Sequence, residues 1–108
     1  MATAKHRLPT HRPPTHPGEM LLEEFLKPLR LTQTEAARRL KMALNRVNEL
    51  IKGKRGMTPD TALKLGELFN MSPAFWMDLQ RDWDLWHAMQ RRQKRGETGS
   101  IKPIAKAS

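Results

Sequence analysis

The stretch LTQTEAARRLKMALNRVNELIKGKR, residues 31–55, predicts two short helices joined by a tight turn, a helix-turn-helix. Thr32 can cap the first helix, and Glu35, three residues later, completes a capping box. Gly53 is placed to end the second helix. Apolar residues at helical spacing give each helix a buried face, formed by Ala36, Ala37 and Leu40 in the first and by Leu44, Val47, Leu50 and Ile51 in the second.

The outward face of the second helix carries short polar side chains and an arginine. These residue types read base edges in the major groove of DNA. The same pattern also fits an ordinary helical hairpin whose polar face is merely solvated. The outward positions are Asn45, Arg46, Asn48 and Glu49.

The charge of the chain favours the DNA-reading interpretation. Its 108 residues, enough for one domain, carry 20 Lys and Arg against 11 Asp and Glu, a formal net charge of +9. Residues 32–55 hold seven basic side chains and only two acidic ones. A basic cluster on a helix-turn-helix indicates a polyanionic partner, and nucleic acid is the commonest one.

The sequence lacks the residues that several kinds of metal, disulfide and catalytic site require. The chain has no cysteine, which excludes a disulfide framework and a cysteine-based zinc site. His6, His11 and His16 recur every five residues, but without further ligands solvated side chains are favoured over a metal site. No nucleophile–base pair, glycine-rich phosphate loop or paired carboxylates stand out, so we expect no enzyme, no catalytic residue and no cofactor.

The two ends of the chain differ in composition from its middle. Residues 1–16 are rich in proline and poor in apolar side chains, which predicts a flexible basic arm. Residues 17–92 are predicted to form a helix-turn-helix domain with a C-terminal dimerisation helix, and residues 93–108 a disordered basic tail. No apolar run reaches the roughly 18 residues of a membrane span and no signal peptide is recognisable, so we expect a cytoplasmic protein.

Start and stop signals predict three further helices, so the expected fold class is all-α with five helices. Two starts are marked by a capping hydroxyl followed by a proline. One end is marked by a proline, because the residue before it avoids helical torsions. Gly66 is unfavourable inside a helix and predicts a close contact with another helix. The predicted helices run from Pro17 to Lys27, from Pro59 to the left-handed terminator Asn70, and from Pro73 to about Arg92.

All three tryptophans lie on the last predicted helix. Trp76, Leu79, Trp83 and Trp86 recur at spacings of three and four residues, which places them on one face. The stripe is either core packing within one chain or an interface with a second chain, since aromatic residues are enriched in interface cores. The four residues are therefore dimer-interface candidates, with the alternative left open.

Three motifs give the chain a family resemblance. They are RPPTHPGE at residues 12–19, TPDTA at residues 58–62 and SPAFWMDLQ at residues 72–80. With the helix-turn-helix between them, residues 12–90 resemble the HigA family of antitoxins, which has a lambda-repressor-like fold. The resemblance implies a homodimer that binds a double-stranded palindromic operator, represses its own toxin–antitoxin operon and neutralises a HigB-type toxin, a ribosome-dependent mRNA endonuclease.

Carried over by motif position, the resemblance makes residues 43–52 the recognition helix. Its base-reading candidates are Leu44, Asn45, Arg46, Asn48 and Glu49. The start of the preceding helix matches positions that hold a DNA phosphate in the family, and basic residues after the recognition helix meet the flanking backbone. The phosphate candidates are Thr32, Gln33, Lys52, Lys54 and Arg55.

Two residues in the turn depart from the family pattern. The family usually has glycine where this chain has Lys41, and serine or threonine where it has Ala43. A lysine is strained if the turn needs a left-handed torsion, and a missing capping hydroxyl costs about 1 kcal/mol. The departures favour one alternative, a toxin-neutralising interaction module with vestigial DNA binding. A stand-alone dimeric repressor without a toxin is the other.

Overall fold

The computed structural model describes residues 13–105, and within that range the chain forms five helices and no strand. None of these helices has the length and apolar character to cross a membrane. The all-α, five-helix prediction is confirmed. Helix α1 begins as an α-helical turn over Pro17–Met20 and continues as a π-helical segment over Leu21–Leu26, and it is followed by α2 (Gln33–Leu40), α3 (Leu44–Ile51), α4 (Pro59–Phe69) and α5 (Pro73–Lys94).

Three helices begin at the predicted hydroxyl caps. The Thr32 hydroxyl oxygen accepts from the backbone N–H of Glu35 at 3.1 Å. Thr58 does the same for α4 at 3.3 Å, and Ser72 for α5 at 3.1 Å. Each cap satisfies one of the backbone donors that the first turn of a helix leaves without a partner.

The second half of the predicted capping box is wrong. The Glu35 carboxylate does not return to the start of α2, because two arginines of the same helix bind it. Arg38 donates to both carboxylate oxygens, and Arg39 Nε lies 2.8 Å from Oε2. These two arginines lower the pKa of Glu35 to about 2, Arg38 having the larger effect.

Helix ends rely on left-handed residues. Asn70 ends α4 with φ 53° and ψ 57°, as predicted. Gly53 follows α3 with φ 75°, and the N–H of Lys54 donates to the carbonyl oxygen of Glu49 at 2.9 Å. This closing turn is the arrangement expected when a glycine ends a helix.

The last helix ends two residues later than predicted. It runs to Lys94, where the predicted domain boundary was Arg92. Gly96 then adopts φ 68°, and the N–H of Glu97 donates to the carbonyl oxygen of Arg92 at 2.8 Å. The helix end was placed slightly too early, because the sequence loses its apolar periodicity before the helix ends; the domain bounds stay a prediction. Disorder of the remaining tail stays a prediction.

His16 belongs to the folded domain, so the prediction of a solvated arm residue is wrong. Its side chain is 6 % exposed. Nδ1 accepts from the backbone N–H of Gly18 at 2.9 Å, which caps α1. The ring meets Trp83 of α5 edge-on, with the centroids 4.9 Å apart. His6 and His11 lie outside the described residues, and so does most of the predicted arm.

The core lies where the remaining helices cover the helix-turn-helix. Trp76, near the start of α5, is completely buried. Phe25 packs on it with the ring centroids 5.0 Å apart, and lies 4.7 Å from the ring of Phe69. Every helix contributes to the buried cluster, which contains Leu21, Leu26, Ala36, Leu40, Leu50, Met57, Ala62, Leu65 and Trp76.

Gly18 allows the start of α1 to lie directly on the end of α3. A Cβ atom at this position would stand 1.8 Å from the backbone oxygen of Leu50 and 2.9 Å from the Cα of Ile51. Both distances lie far inside the 3.5–4.0 Å at which carbon atoms attract one another. The first helix therefore fixes the position of the end of α3.

The close contact predicted at Gly66 is present, but its partner is different. A Cβ atom there would lie 2.7 Å from the backbone oxygen of Met71 and 3.3 Å from Cδ of Pro73. The glycine accommodates the turn into α5 and that helix's first residue, and not the body of another helix.

His16 should make the stability of the domain depend on pH. Burial lowers its pKa from the ordinary value of 6.5, with His87 acting in the same direction and Asp84 and Glu19 opposing it. A proton on Nδ1 would also remove the cap of α1. In the unfolded chain His16 takes up a proton near pH 6.5, whereas in the folded chain it does so only at a lower pH. The free energy of unfolding therefore falls as the pH drops below 6.5.

The measurement compares urea unfolding at pH 7.5 and at pH 5.5 for the wild type and His16→Asn. Asparagine is also a good capping residue but does not titrate in this range. We expect the wild type to lose more stability than the variant between the two pH values. Equal losses would mean that His16 does not carry this pH dependence.

Candidate nucleic-acid interface

A hydrogen bond joins the start of α2 to the middle of α3. Asn48 Nδ2 donates to Gln33 Oε1 at 3.1 Å. Gln33 is the first residue of α2, where unpaired backbone N–H groups favour an anion. The fold thus brings a predicted phosphate position beside a predicted base-reading position, although the two residues are 15 apart in sequence.

The turn between these helices uses the left-handed torsion that a glycine would favour. Lys41 has φ 56° and ψ 46°. Its backbone N–H donates to the carbonyl oxygen of Arg38 at 3.2 Å, and that of Met42 to Ala37 at 2.9 Å. The turn is therefore closed in spite of the lysine. A residue with a Cβ atom costs about 1–2 kcal/mol in this conformation.

Ala43 occupies the capping position of α3 without capping it. Its backbone is extended, with φ −66° and ψ 141°, and no side chain satisfies the first N–H groups of the helix. The first backbone bonds of the helix run to the Ala43 carbonyl oxygen, from the N–H of Arg46 at 3.1 Å and from that of Val47 at 3.3 Å. The start of α3 therefore offers backbone donors to a bound partner or to water.

The five base-reading candidates have different surroundings. Leu44 was predicted on the buried face of α3, and this is wrong: at the first position of the helix it is 47 % exposed. Asn45 is exposed and makes no side-chain hydrogen bond within residues 13–105. Arg46 is half-buried, and its Nε has no hydrogen-bond partner in the same range. Asn48 is bonded to Gln33 as described. The remaining candidate, Glu49, is half-buried and carries an ion pair.

That ion pair joins a base-reading candidate to a phosphate candidate. Arg55 Nη2 and Nε lie 2.8 and 3.1 Å from Glu49 Oε1. Both side chains are more than a third exposed, so the pair adds little stability. It does neutralise the guanidinium locally, while Lys52 and Lys54 are exposed without an ion pair in the described part of the chain. Thr32 is exposed as well, beside half-buried Gln33.

A shallow depression of about 720 Å³ lies between the two helices of the motif. Its lining includes Thr34, which sequence reasoning did not single out. The available signal was its position in the first turn of α2, next to Gln33. The other lining residues are Gln33, Leu44, Asn45 and Asn48.

A second hollow, of about 460 Å³, lies between α1 and the start of α5 and is acidic. Glu19, Glu23 and Glu24 line it beside Phe25 and Phe75. Carboxylates repel DNA phosphates, so this surface does not suit nucleic acid. Within residues 13–105, His, Asp and Glu side chains do not gather in groups that could hold a metal ion.

The tryptophan stripe divides between core and surface. Trp76 is completely buried within the chain, so its assignment as a dimer-interface candidate is wrong. Leu79 packs against the same core, and Trp83 meets the ring of His16 edge-on. Trp86 is half-buried. Trp76, at the start of the stripe, is buried because the first two turns of α5 pack against α1 and α4.

Two residues of α5 outside the four dimer-interface candidates are more exposed than any of the tryptophans. Leu85 is 48 % exposed and Met89 is 53 % exposed. Four residues apart, they share one face of the helix. Their spacing of four residues was visible in the sequence, but the dimer-interface candidates were chosen from the aromatic stripe on the adjacent face.

The chain matches the helix-turn-helix family model over residues 22–76. Antitoxin HigA-1 of Vibrio cholerae is 36 % identical over 95 residues, which cover 88 % of this chain and 88 % of that protein. The chain belongs to the HigA family of helix-turn-helix proteins. Virulence-associated protein I of Dichelobacter nodosus is 41 % identical over 81 residues, 75 % of each chain.

Solved structures of two antitoxins share the fold. The Pseudomonas aeruginosa antitoxin HigA with the higBA promoter matches with a TM-score of 0.78 and 37 % identity, over 85 % of this chain and 99 % of that one. The antitoxin GraA in complex with its operator matches with a TM-score of 0.80 and 33 % identity, over 93 % and 100 %. Both neighbours were solved together with DNA, a promoter in one case and an operator in the other.

Replacing Lys41 by glycine should stabilise this HigA-family domain. The change removes the Cβ atom from a left-handed residue, and we expect the free energy of unfolding to rise by about 1 kcal/mol. Urea unfolding measures the effect. Lys41→Ala is the control, because it removes the same charge but keeps the Cβ atom. If alanine stabilised as much as glycine, the lysine charge and not the torsion would be the cause.

Proposed function

We propose that the chain is a sequence-specific DNA-binding antitoxin of a type II toxin–antitoxin system. In this role it represses its own operon and neutralises a partner toxin, so it acts by binding and not by catalysis. The observation that carries the DNA-binding part is the surface formed by α2 and α3. There the Gln33–Asn48 hydrogen bond sets a helix start beside the exposed residues Leu44 and Asn45. HigA and GraA, both solved with DNA, support it.

In the proposed complex the start of α3 enters the major groove. Recognition helices of helix-turn-helix proteins contact base edges with their N-terminal residues. The start of α2, with Thr32 and Gln33, faces a phosphate, because its backbone donors and its dipole both favour an anion. Lys52 and Lys54, beyond the end of α3, contact the flanking backbone.

Asn45 is the strongest candidate for direct base discrimination. It is exposed, unlike Arg46, and its amide can donate and accept toward one adenine edge. Arg46 is half-buried, so truncating it mixes a loss of packing with a loss of base contact. Asn45 therefore gives the cleaner experiment.

We expect Asn45→Ala and Lys54→Ala to affect DNA binding differently. Asn45→Ala should weaken binding to DNA from upstream of the protein's own gene by about 1–3 kcal/mol and leave binding to random DNA unchanged. Lys54→Ala should weaken both and lower the slope of log affinity against log salt by about one. Titration with labelled duplexes at several salt concentrations measures both effects.

Lys27→Ala is the charge-matched control. Lys27 is an exposed lysine directly after α1 that is bound to Glu23 at 2.9 Å and is not among the residues of the proposed interface. Its removal should change neither affinity nor salt slope. Equal and negligible effects of Asn45→Ala and Lys54→Ala on upstream DNA would contradict the proposed surface.

The second half of α5 supports the dimer that palindromic DNA requires. The helix has 22 residues, about 33 Å, and its buried anchor Trp76 lies near the start. Leu85 and Met89 are exposed farther along. Trp86 beside them is half-buried, and its Nε1 has no hydrogen-bond partner within the described range. We assign the homodimer contact to this half of the helix.

Leu85→Glu should convert the dimer into a monomer, because it places a charge in an apolar contact. Light scattering of the purified full chain measures the mass. Leu63→Glu is the matched control, since Leu63 is 54 % exposed on α4, outside the proposed contact. A monomeric wild type, or a dimer that survives Leu85→Glu, would contradict the assignment.

The toxin-neutralising role rests on the family. Antitoxin HigA-1 of Vibrio cholerae, similar over 88 % of its length, is the basis for proposing a HigB-type ribonuclease as the partner. A ribonuclease gene directly adjacent would support this role. An isolated gene would favour the stand-alone repressor instead.

The alternative with vestigial DNA binding receives no support from the turn. Its basis was the replacement of the usual turn residues by Lys41 and Ala43. Lys41 adopts the required left-handed torsion, and the turn is closed by backbone hydrogen bonds. Ala43 leaves a cap open but does not displace α3. The two residues are expected to lower stability while the DNA-facing geometry stays in place.

A further inference from the structure

Leu44 is an unusual residue at the position it occupies. It is the first residue of α3 and is 47 % exposed. It is also the only large hydrophobic side chain of α2 or α3 that is exposed to this extent. In a docked helix-turn-helix the first turn of the second helix lies deepest in the major groove.

The surroundings of Leu44 are suited to a small apolar group flanked by polar ones. Leu44 lines the depression of about 720 Å³ together with Thr34, which adds a methyl group, and with the polar side chains of Gln33, Asn45 and Asn48. The hydrogen bond between Gln33 and Asn48 holds two of those side chains in place. The depression is therefore an apolar spot with a polar border.

Only one common feature of the major-groove edge of DNA is apolar. Guanine, cytosine and adenine present hydrogen-bond donors and acceptors there, whereas thymine adds the C5-methyl group. Leucine cannot form a hydrogen bond with a base, so a polar edge facing it would lose its water without compensation. A thymine methyl group would instead gain from burial against the side chain.

We propose that Leu44 reads the C5-methyl group of a thymine in each operator half-site. The inference rests on the proposed DNA-binding function and deepens it, because it names the base that this leucine selects. Discrimination then has two parts. Asn45 forms hydrogen bonds with a base edge, and Leu44 requires a methyl group next to it.

The test uses DNA from upstream of the protein's own gene, prepared with thymine or with deoxyuridine, which lacks only the methyl group. We expect the wild-type chain to bind the deoxyuridine duplex about fourfold more weakly for each methyl group that Leu44 can no longer bury, the effect of about 0.8 kcal/mol per buried CH₂ group. Leu44→Ala should bind the two duplexes equally. A further pair of duplexes carries cytosine or 5-methylcytosine in place of the thymine that Leu44 contacts. The wild type should bind the 5-methylcytosine duplex more tightly than the cytosine duplex.

Leu63→Ala is the control variant, because it shortens a leucine that is similarly exposed on α4. It should keep the wild-type preference for thymine. The inference is overturned if the wild type binds thymine and deoxyuridine duplexes equally, or if Leu44→Ala keeps the full preference. In either case preference for upstream DNA over random DNA would leave the proposed function standing. Loss of that preference in the wild type would overturn both.

Discussion

The contact between Gly18 and the end of α3 is the constraint on which the proposed DNA-facing surface depends. A hydrogen atom is the only side chain that fits between the backbone of α1 and that of Leu50 and Ile51. Because the two backbones are in direct contact, no long flexible side chain lies between them, and the position of the end of α3 is closely defined. The Gln33–Asn48 bond fixes the middle of the same helix to α2. Helix α3, the proposed recognition helix, is thus held at two places along its length, which suits a task that requires its first turn to match a groove.

Local signals predicted most of the fold. Caps such as Thr58 and the terminator Asn70 act through hydrogen bonds within a few residues, so the sequence near them is sufficient. The left-handed torsion at Lys41 was foreseeable only from the family pattern, since lysine itself gives no sign of it. The positions of the base-reading candidates on one helix were likewise predictable from helical periodicity.

The errors arose where a residue has more than one possible environment or set of partners, near or far along the chain. His16 was assigned to a solvated arm because its partner Trp83 is far away in sequence. The burial of Trp76 depends on Phe25 and Phe69, which belong to two other helices. Glu35 had two possible sets of partners within one turn, and the two arginines prevailed over the backbone N–H of the cap. Hydrophobic pattern and propensity do not rank such alternatives; three-dimensional packing does.

The contact between His16 and Trp83 also has a consequence for the order in which the chain becomes structured. It joins the residue before the first helix to the middle of the last one, so the whole helix-turn-helix lies inside the loop of chain that it closes. During synthesis α2 and α3 leave the ribosome before α5 exists to complete their core. Trp76 and Trp83 are synthesised after both helices, and the apolar surface that Trp76 buries helps to offset the entropy of closing the loop. A nascent chain would therefore acquire a settled DNA-facing surface only after the helix assigned to dimerisation has been made.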